Sequence, residues 1–220
     1  MLIRGTNVQN PMLKERMQHR KIYEFIKRVA DIVCSLIALL ALMPILVVVA
    51  MLVKIESKGP IIFSQKRVGK YGKLFKMYKF RSMVINAEQI KKQLANKNER
   101  TGPMFKIKND PRITNVGRFI RKTSIDELPQ LVNILKGEMS IVGPRPSLPD
   151  EVKGFHEWML KRLNVKPGLT CYWQVAGRND IEFEEWMKLD VKYVKERNII
   201  IDVKLIFKTF FVLFGDKNAS

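Results

Sequence analysis

Two adjacent carboxylates, Asp126 and Glu127, are the residues of this 220-residue sequence best suited to chemistry. Ser124 and Glu127 have the S-x-x-E spacing of a capping box, and Pro129 follows where a first helical turn tolerates proline. The motif predicts a helix start between Ile125 and Glu127, where the helix dipole would favour ionised carboxylates. An ionised carboxylate can attack phosphorus or bind Mg²⁺. The alternative is that both acids only serve the start of a helix.

Basic residues flank this acid pair on both sides. Arg118, Arg121 and Lys122 precede it, and Arg145 follows within Gly143-Pro144-Arg145-Pro146. Such a rigid loop can hold a guanidinium for bidentate contact with a phosphate. Arginines around two carboxylates suit a diphosphate substrate with a metal ion between the anions, although the arginines could also simply pair with the acids. The common nucleotide, zinc-protease and serine-hydrolase motifs are absent from the sequence.

The composition narrows the class of protein. The chain carries 40 Lys and Arg against 21 Asp and Glu, a net charge of +19, yet 46% of its residues are hydrophobic. This pairing predicts a folded domain with an anionic partner, which could be nucleic acid, a membrane surface or a nucleotide-type substrate. The two cysteines, Cys34 and Cys171, lie far apart, which argues against a disulfide scaffold and a cysteine zinc site.

An apolar run of 22 uncharged residues, 32–53, separates two basic segments. As a helix it is long enough to cross the hydrocarbon core of a bilayer. A signal peptide is a poor fit because the run starts late and has no small-residue cleavage site before Lys54. A buried core helix is the alternative, but a domain of this size seldom buries so long a helix on all sides.

Pro44 lies near the middle of this run, where proline removes a backbone hydrogen bond and kinks or breaks a helix. Both flanks are basic, and Lys- and Arg-rich flanks stay in the cytoplasm. A helix that bends at Pro44 and returns keeps both flanks on one side, so we predict a re-entrant hairpin. A kinked spanning helix is the alternative. The flanking bases are Arg20, Lys21, Lys27, Arg28, Lys54, Lys58, Lys66 and Arg67.

The remaining pattern is typical of a membrane-associated α/β domain that is mainly helical. A small β-hairpin is predicted from strands at 60–65 and 74–80. Helical patterns cover 85–100, 128–136 and 183–197, with a short helix or turn at 118–122. The predicted organisation is an N-terminal extension (1–19), a re-entrant membrane helix (20–57), a cytoplasmic catalytic domain (58–198) and a C-terminal interfacial amphipathic helix (199–220).

Several motifs together resemble those of the bacterial sugar transferases, the monotopic polyprenyl-phosphate phosphoglycosyl transferases. The most specific are DELPQL at 126–131 and KGEMSIVGPRP at 136–146. Others are Lys27-Arg28 through Pro44, FSQKRVG at 63–69, KMYKFRSM at 76–83, PGLT at 167–170 and QVAGRN at 174–179. The resemblance extends from about residue 20 to the C-terminus and leaves 1–18 outside it.

The resemblance implies transfer of a sugar phosphate from a UDP-sugar to undecaprenyl phosphate, with release of UMP, at the cytoplasmic face of the bacterial inner membrane. It implies that Asp126 attacks the β-phosphate to form a covalent intermediate, while Glu127, with Asp126, holds Mg²⁺. The chemistry has a physical reason, since a carboxylate approaching a diphosphate is repelled unless Mg²⁺ and arginines offset the charge.

The resemblance also implies a set of substrate-binding residues. They are Arg121, Arg145, Lys79, Arg81, Arg178 and Asn179. One departure concerns the membrane helix, because family members often have Ser before the helix-breaking proline, whereas Met43 precedes Pro44 here. Met cannot bond back to the helix carbonyls, so Pro44 must make the bend with less help.

Two other classes of protein are alternatives. A membrane-tethered nucleic-acid-binding module would use the basic, aromatic-rich segment 58–81, but anionic membrane lipids explain this segment better and we expect no nucleic acid partner. A non-catalytic membrane scaffold predicts that Asp126→Ala leaves function intact. The stretch 104–114 resembles that of family members acting on UDP-hexoses, galactose or glucose. The oligomeric state, a homodimer included, is open.

Overall fold

The computed structural model describes residues 11–94, 107, 109–176 and 181–215. Its helices and strands, in chain order, are α1 (Pro11–Glu56), β1 (Ile62–Val68), β2 (Leu74–Phe80), α2 (Ala87–Gln93), α3 (Asn115–Lys122), α4 (Gln130–Lys136), β3 (Ser140–Val142), α5 (Pro149–Lys153), α6 (Glu157–Leu160), β4 (Gly168–Thr170), α7 (Tyr172–Val175), α8 (Phe183–Glu196) and α9 (Ile199–Gly215). Short 3₁₀ turns lie at Lys70–Gly72, Ile125–Glu127 and Lys161–Asn164. The predicted α/β class with mainly helical content is confirmed.

Helix α1 contains the predicted apolar run as one continuous element. Its stretch Arg20–Glu56 is long and apolar enough to cross a membrane, and only 11% of its most apolar window is buried within the molecule. A core helix would be buried on all sides, so that alternative does not describe α1. Pro44 lies inside the helix, and the re-entrant hairpin stays a prediction.

One face of α1 packs against the rest of the domain. The contact positions recur every three or four residues, as one face of a helix requires. The buried ones are Tyr23, Asp31, Ser35, Val49 and Val53, with half-buried Lys27, Leu39, Leu42 and Leu46 between them. The opposite face exposes apolar side chains that include Phe25, Ile37, Leu40 and Met51. The helix is therefore docked along one side and presents a continuous apolar surface on the other.

Polar contacts hold α1 at several points along its length. The Asp202 carboxylate of α9 accepts hydrogen bonds from Lys27 Nζ at 2.6 Å and from the Tyr23 hydroxyl at 3.0 Å. The Asp31 carboxylate accepts from the backbone N–H of Ile141 at 2.9 Å. At the other end, the Glu56 carboxylate accepts from the first N–H groups of α3, the helix that leads into the acid pair.

The β-hairpin pairs β1 and β2 in antiparallel register from Ile62 opposite Phe80 to Val68 opposite Leu74. The prediction placed β2 correctly, and it began β1 two residues early and ended it three residues early. Helix α4 covers one face of the hairpin through an apolar cluster of Phe75, Met77, Leu131, Ile134 and Met139. The helix predicted over 128–136 begins two residues later than predicted and ends at Lys136 as predicted. Gly137 follows it with a φ of 80°, the left-handed conformation that glycine adopts without strain.

Strands β3 and β4 form a short parallel pair, with Ser140 opposite Gly168 and Val142 opposite Thr170. Just after β3, the backbone segments at Gly143 and Gly168 approach so closely that a Cβ on Gly168 would lie 2.2 Å from the backbone nitrogen of Gly143. Both positions therefore require glycine, and this contact fixes the start of the loop that carries Arg145.

Helices α8 and α9 close the domain. The pattern predicted α8 to within one residue and α9 as a helix. Helix α9 buries Leu205 in a cluster with Val142 and Tyr193, while Ile200, Phe207 and Phe211 are exposed. This division suits a helix whose outer face contacts a membrane interface, and that role stays a prediction.

Candidate active site

The acid pair lies in the 3₁₀ turn Ile125–Glu127, between α3 and α4. Ser124 precedes this turn with a left-handed φ of 56° and makes no capping hydrogen bond through its side chain. The predicted capping box is therefore wrong, because the left-handed residue turns the chain away from α3 instead of capping a new helix. A turn of three residues also has little macrodipole, so another effect must set the ionisation of these acids.

Glu127 is held by cations from two other elements. Lys79 Nζ, on β2, lies 2.6 Å from Glu127 Oε1. Arg145 Nη1 lies 3.7 Å from the same oxygen. The three side chains are 17 to 34% exposed, so the cluster is open to a ligand. The structure thus brings together Lys79, Arg145 and Glu127, which the sequence places far apart.

Asp126 is more deeply buried, with 7% of its surface exposed. Among the described residues, none donates a hydrogen bond to its carboxylate. Burial, with a contribution from nearby Glu127, raises the pKa of Asp126 to about 6, although Lys79, Arg121 and Arg145 act to lower it. The site therefore contains a buried carboxylate that accepts no hydrogen bond from the described residues and that feels the charge of three cations, the arrangement expected of a group that meets a charged ligand.

Arg145 bridges the acid pair and an aromatic cluster. Its guanidinium lies 5.9 Å from the centre of the Trp173 ring while approaching Glu127. Trp173 in turn packs against Trp186, with ring centres 4.7 Å apart and ring planes tilted by 42°. The side chain of Arg145 is 34% exposed, so it can contact a phosphate without leaving these neighbours.

The other predicted substrate-binding residues have different positions. Arg121 is exposed in the last turn of α3, and its charge lowers the pKa of Asp126. Arg81 is 6% exposed and donates from Nη2 to the Ser57 carbonyl at 2.6 Å, at the end of α1. This nitrogen of Arg81 is committed to anchoring α1, and a substrate contact stays a prediction. Arg178 and Asn179 lie outside the described residues.

Asn133 is a positioning residue that the sequence prediction missed. It is fully buried on α4, accepts a hydrogen bond from the Tyr78 N–H at 3.0 Å, and donates to the Lys76 carbonyl at 2.7 Å. These bonds clamp α4 against the edge of β2 and so set the position of Lys79. The available signal was an amide on an otherwise apolar stretch of α4.

The donor set for a metal ion is small. Within the described residues no group of three or more His, Cys, Asp or Glu side chains could hold one. Mg²⁺ commonly binds through one or two carboxylates, with substrate phosphates and water completing its shell. Asp126 and Glu127 therefore fit a Mg²⁺ ion that arrives with a diphosphate, and they do not fit an all-protein metal cage.

Comparison with known proteins finds relatives over nearly the whole chain. A family model described as "Bacterial sugar transferase" matches residues 22–216. Galactosyl transferase CpsE of Streptococcus agalactiae is 50% identical over 195 residues, and undecaprenyl-phosphate galactose phosphotransferase of Salmonella typhimurium is 45% identical over 213. Exopolysaccharide production protein ExoY of Sinorhizobium fredii is 40% identical over 187 residues.

The relatives differ in length. The first two matches cover 88% and 95% of this chain but only 43% of each relative. The match to ExoY covers 83% of both chains. The described fold therefore corresponds to less than half of some relatives and to most of another.

Proposed function

Because the chain belongs to the bacterial sugar transferase family, we propose that it transfers a sugar 1-phosphate from a UDP-sugar to undecaprenyl phosphate and releases UMP. This reaction would start the membrane-bound assembly of a polysaccharide or glycoconjugate. The observation that carries the proposal is Asp126, a buried carboxylate without a hydrogen bond from any described residue, beside Glu127, Lys79 and Arg145.

In the first half of the reaction, a carboxylate oxygen of Asp126 attacks the β-phosphorus of the UDP-sugar. The bond from the β-phosphorus to the oxygen that joins the two phosphates breaks, and UMP leaves with the electron pair of that bond. The sugar phosphate is then joined to Asp126 as an acyl phosphate. Arg145 and Lys79 would stabilise the charge that develops on the phosphoryl oxygens.

In the second half, a phosphate oxygen of undecaprenyl phosphate attacks the same phosphorus and releases the Asp126 carboxylate. The product is undecaprenyl diphosphate carrying the sugar. Two displacements at one phosphorus allow two bulky anionic substrates to use one site in turn. The first displacement therefore needs a nucleophile that the protein supplies, and undecaprenyl phosphate supplies the second.

Mg²⁺ is part of the proposal. Asp126 and Glu127 would hold it, and its charge would neutralise part of the diphosphate. Lys79 Nζ is paired with Glu127 Oε1 at 2.6 Å. We expect this ion pair to loosen if Glu127 is to hold the metal ion. Arg121 is a further phosphate ligand under this proposal, as are Arg178, Asn179 and Arg81, whose Nε and Nη1 have no hydrogen-bond partner among the described residues.

The proposed location is the cytoplasmic face of the inner membrane. The exposed apolar face of α1 would enter the bilayer and return at Pro44, while the basic flanks and α9 would lie among anionic headgroups. Labelling of Lys21→Cys and Lys58→Cys in a Cys34→Ala background tests the topology. We expect both cysteines to react from the same side, and opposite-side labelling would exclude the re-entrant hairpin.

A hexose is the proposed sugar, because relatives are named for galactose and glucose transfer. The deciding experiment measures UMP release from UDP-galactose, UDP-glucose and other UDP-sugars with undecaprenyl phosphate and Mg²⁺. We expect release from a hexose donor and a loss of about 10³-fold or more for Asp126→Asn. Asp150→Asn, at an acid whose side chain is 87% exposed, is the matched control.

Two results would contradict the proposal. The first is no UMP release from any donor. The second is full activity of Asp126→Asn, which the scaffold alternative expects. Donor labelled at the β-phosphate, mixed with enzyme in the absence of undecaprenyl phosphate, adds a direct check, since the wild type should retain label on protein and Asp126→Asn should not.

A further inference from the structure

Arg162 is a buried cation that the proposed mechanism does not use. It lies in the 3₁₀ turn Lys161–Asn164 and is 2% exposed. The Asp190 carboxylate of α8 accepts hydrogen bonds from its Nε at 3.0 Å and its Nη2 at 2.6 Å. The rings of Phe155 and Trp186 lie 5.7 and 5.4 Å from its guanidinium. A charge buried this deeply is tolerated only because it is paired.

The remaining donors of Arg162 reach the loop that carries Arg145. Nη2 donates to the Arg145 carbonyl at 2.7 Å, and Nη1 donates to the Ser147 hydroxyl. Ser147 is itself 2% exposed. One guanidinium therefore joins the Asp190 carboxylate to the loop on both sides of Pro146.

Hydrogen bonds to its backbone carbonyls hold this loop along residues 144–147. Each of the four carbonyls at 144–147 accepts a hydrogen bond from another segment of the chain. The donors, in that order, are Gly168 N, Arg162 Nη2, Arg67 Nη1 and Val68 N. The loop is thus fixed at its backbone, while the side chain of Arg145 is 34% exposed. Within the described part of the chain, that side chain contacts Glu127 at 3.7 Å and the Trp173 ring.

We propose that Arg162, locked by Asp190, is a positioning residue that sets the direction of the Arg145 side chain toward Glu127 and the phosphate of the substrate. This inference rests on the proposed function, in which Arg145 contacts that phosphate. Only arginine supplies a planar set of donors that can bind a carboxylate and two loop oxygens together. Lysine could keep the charge beside Asp190 but could not hold both loop contacts.

A double-mutant cycle on the full chain in detergent tests the inference. Arg162→Lys is measured alone and in an Arg145→Ala background, with UMP release giving kcat and KM for the UDP-sugar. We expect Arg162→Lys to lower kcat/KM about tenfold in the wild type and less than about twofold in Arg145→Ala. The single substitutions should change the same kinetic parameter, since both act through the Arg145 guanidinium.

Ser147→Ala keeps the Arg162–Asp190 pair and removes one loop contact, so a folded variant is available if Arg162→Lys is unstable. Ser147→Ala should also lower kcat/KM more in the wild type than in the Arg145→Ala background, and its loss should be smaller than that of Arg162→Lys. Lys161→Met, at the exposed neighbour in the same turn, is the control that should change neither parameter. Thermal unfolding of each variant separates loss of folded protein from loss of rate.

Equal losses in both backgrounds would overturn the inference and leave Arg162 a purely structural residue, with the role of Arg145 intact. Full activity of Arg145→Ala would be a different failure. It would remove the phosphate contact from the proposed function, and with it the reason to position Arg145.

Discussion

Asp126 and Asp190 are both buried acids whose pKa burial raises to about 6, yet their surroundings differ. Asp190 is wholly buried and accepts two hydrogen bonds from the Arg162 guanidinium. Asp126 retains 7% exposure and accepts no hydrogen bond from any described residue. The same direction of pKa shift therefore belongs to an acid paired with a buried guanidinium and to an acid with no such partner.

The difference shows how a fold separates structure from chemistry. A carboxylate that is sealed from solvent and paired with a guanidinium resists ligands and holds its neighbours in place. A buried carboxylate with cations nearby, but without hydrogen bonds, is stabilised further by anything that brings a positive charge. Geometry, and not the pKa alone, distinguishes the two roles.

The largest change in stability that we predict follows from the removal of the Asp190 carboxylate. Asp190→Ala leaves the Arg162 guanidinium buried without its carboxylate, which costs about 3–5 kcal/mol of the free energy of unfolding. Chemical denaturation in detergent measures this loss. Replacing both partners with leucine should cost less than Asp190→Ala, because no unpaired charge is left behind. The comparison fails if Asp190→Ala changes stability no more than Asp150→Ala, at an acid whose side chain is 87% exposed.

A smaller effect of opposite sign is predicted for Asp126→Asn without Mg²⁺. The folded pKa of Asp126 lies above its unfolded value of 3.8, so the wild type loses stability as pH rises through about 6. The asparagine variant has no such loss. It should exceed the wild type by about 1–3 kcal/mol at pH 8 and match it near pH 4.

Asp110 is the control for the direction in which stability changes with pH. Hydrogen bonds from Arg112 hold the pKa of Asp110 below its usual range. Its stabilising contribution is therefore present at neutral pH and lost in acid, so Asp110→Asn should destabilise the protein at pH 8. If Asp126→Asn were also destabilising at pH 8, the pKa of Asp126 would not be raised by burial.

Much of the fold follows from local patterns. The two hairpin strands, the helical pattern of α4 and the periodicity of α8 depend on residues close in sequence, and the predictions for them are confirmed to within a few residues. The apolar length of α1 was equally visible. Its docking was not, because a helix that is apolar on nearly every side does not reveal which face meets the domain.

The site was predictable only in part. Asp126 and Glu127 stand out as neighbours, and Arg145 stands out in a rigid loop. The contact of Lys79 with Glu127 joins positions 48 residues apart. The resemblance named Lys79 as a substrate-binding residue, and nothing in the sequence predicted its contact with Glu127. Arg162 and Asp190 had no local signal, since a single arginine and a single acid 28 residues apart are typical of any solvated surface. Ser124 was misread because its spacing to Glu127 matched a capping box while its backbone turned left-handed.

The smallest predicted effect concerns the cation that moderates Asp126. Lys79 lowers the pKa of Asp126 and lies 2.6 Å from Glu127, so Lys79→Met should raise the pKa of Asp126. Without Mg²⁺, the variant should lose about 0.5–1 kcal/mol more stability than the wild type between pH 4 and pH 8. Denaturation curves at four or five pH values measure this slope.

Lys153→Met is the matched control, because it removes the cation of the exposed Lys153–Asp150 pair. Its stability curve should run parallel to that of the wild type across this pH range, since solvent screens that pair. A parallel curve for Lys79→Met would mean that Lys79 does not act on the ionisation of Asp126, which burial and the other neighbouring charges would then set. Asp126 would then differ from Asp190, because the Arg162 guanidinium stabilises the ionised form of Asp190.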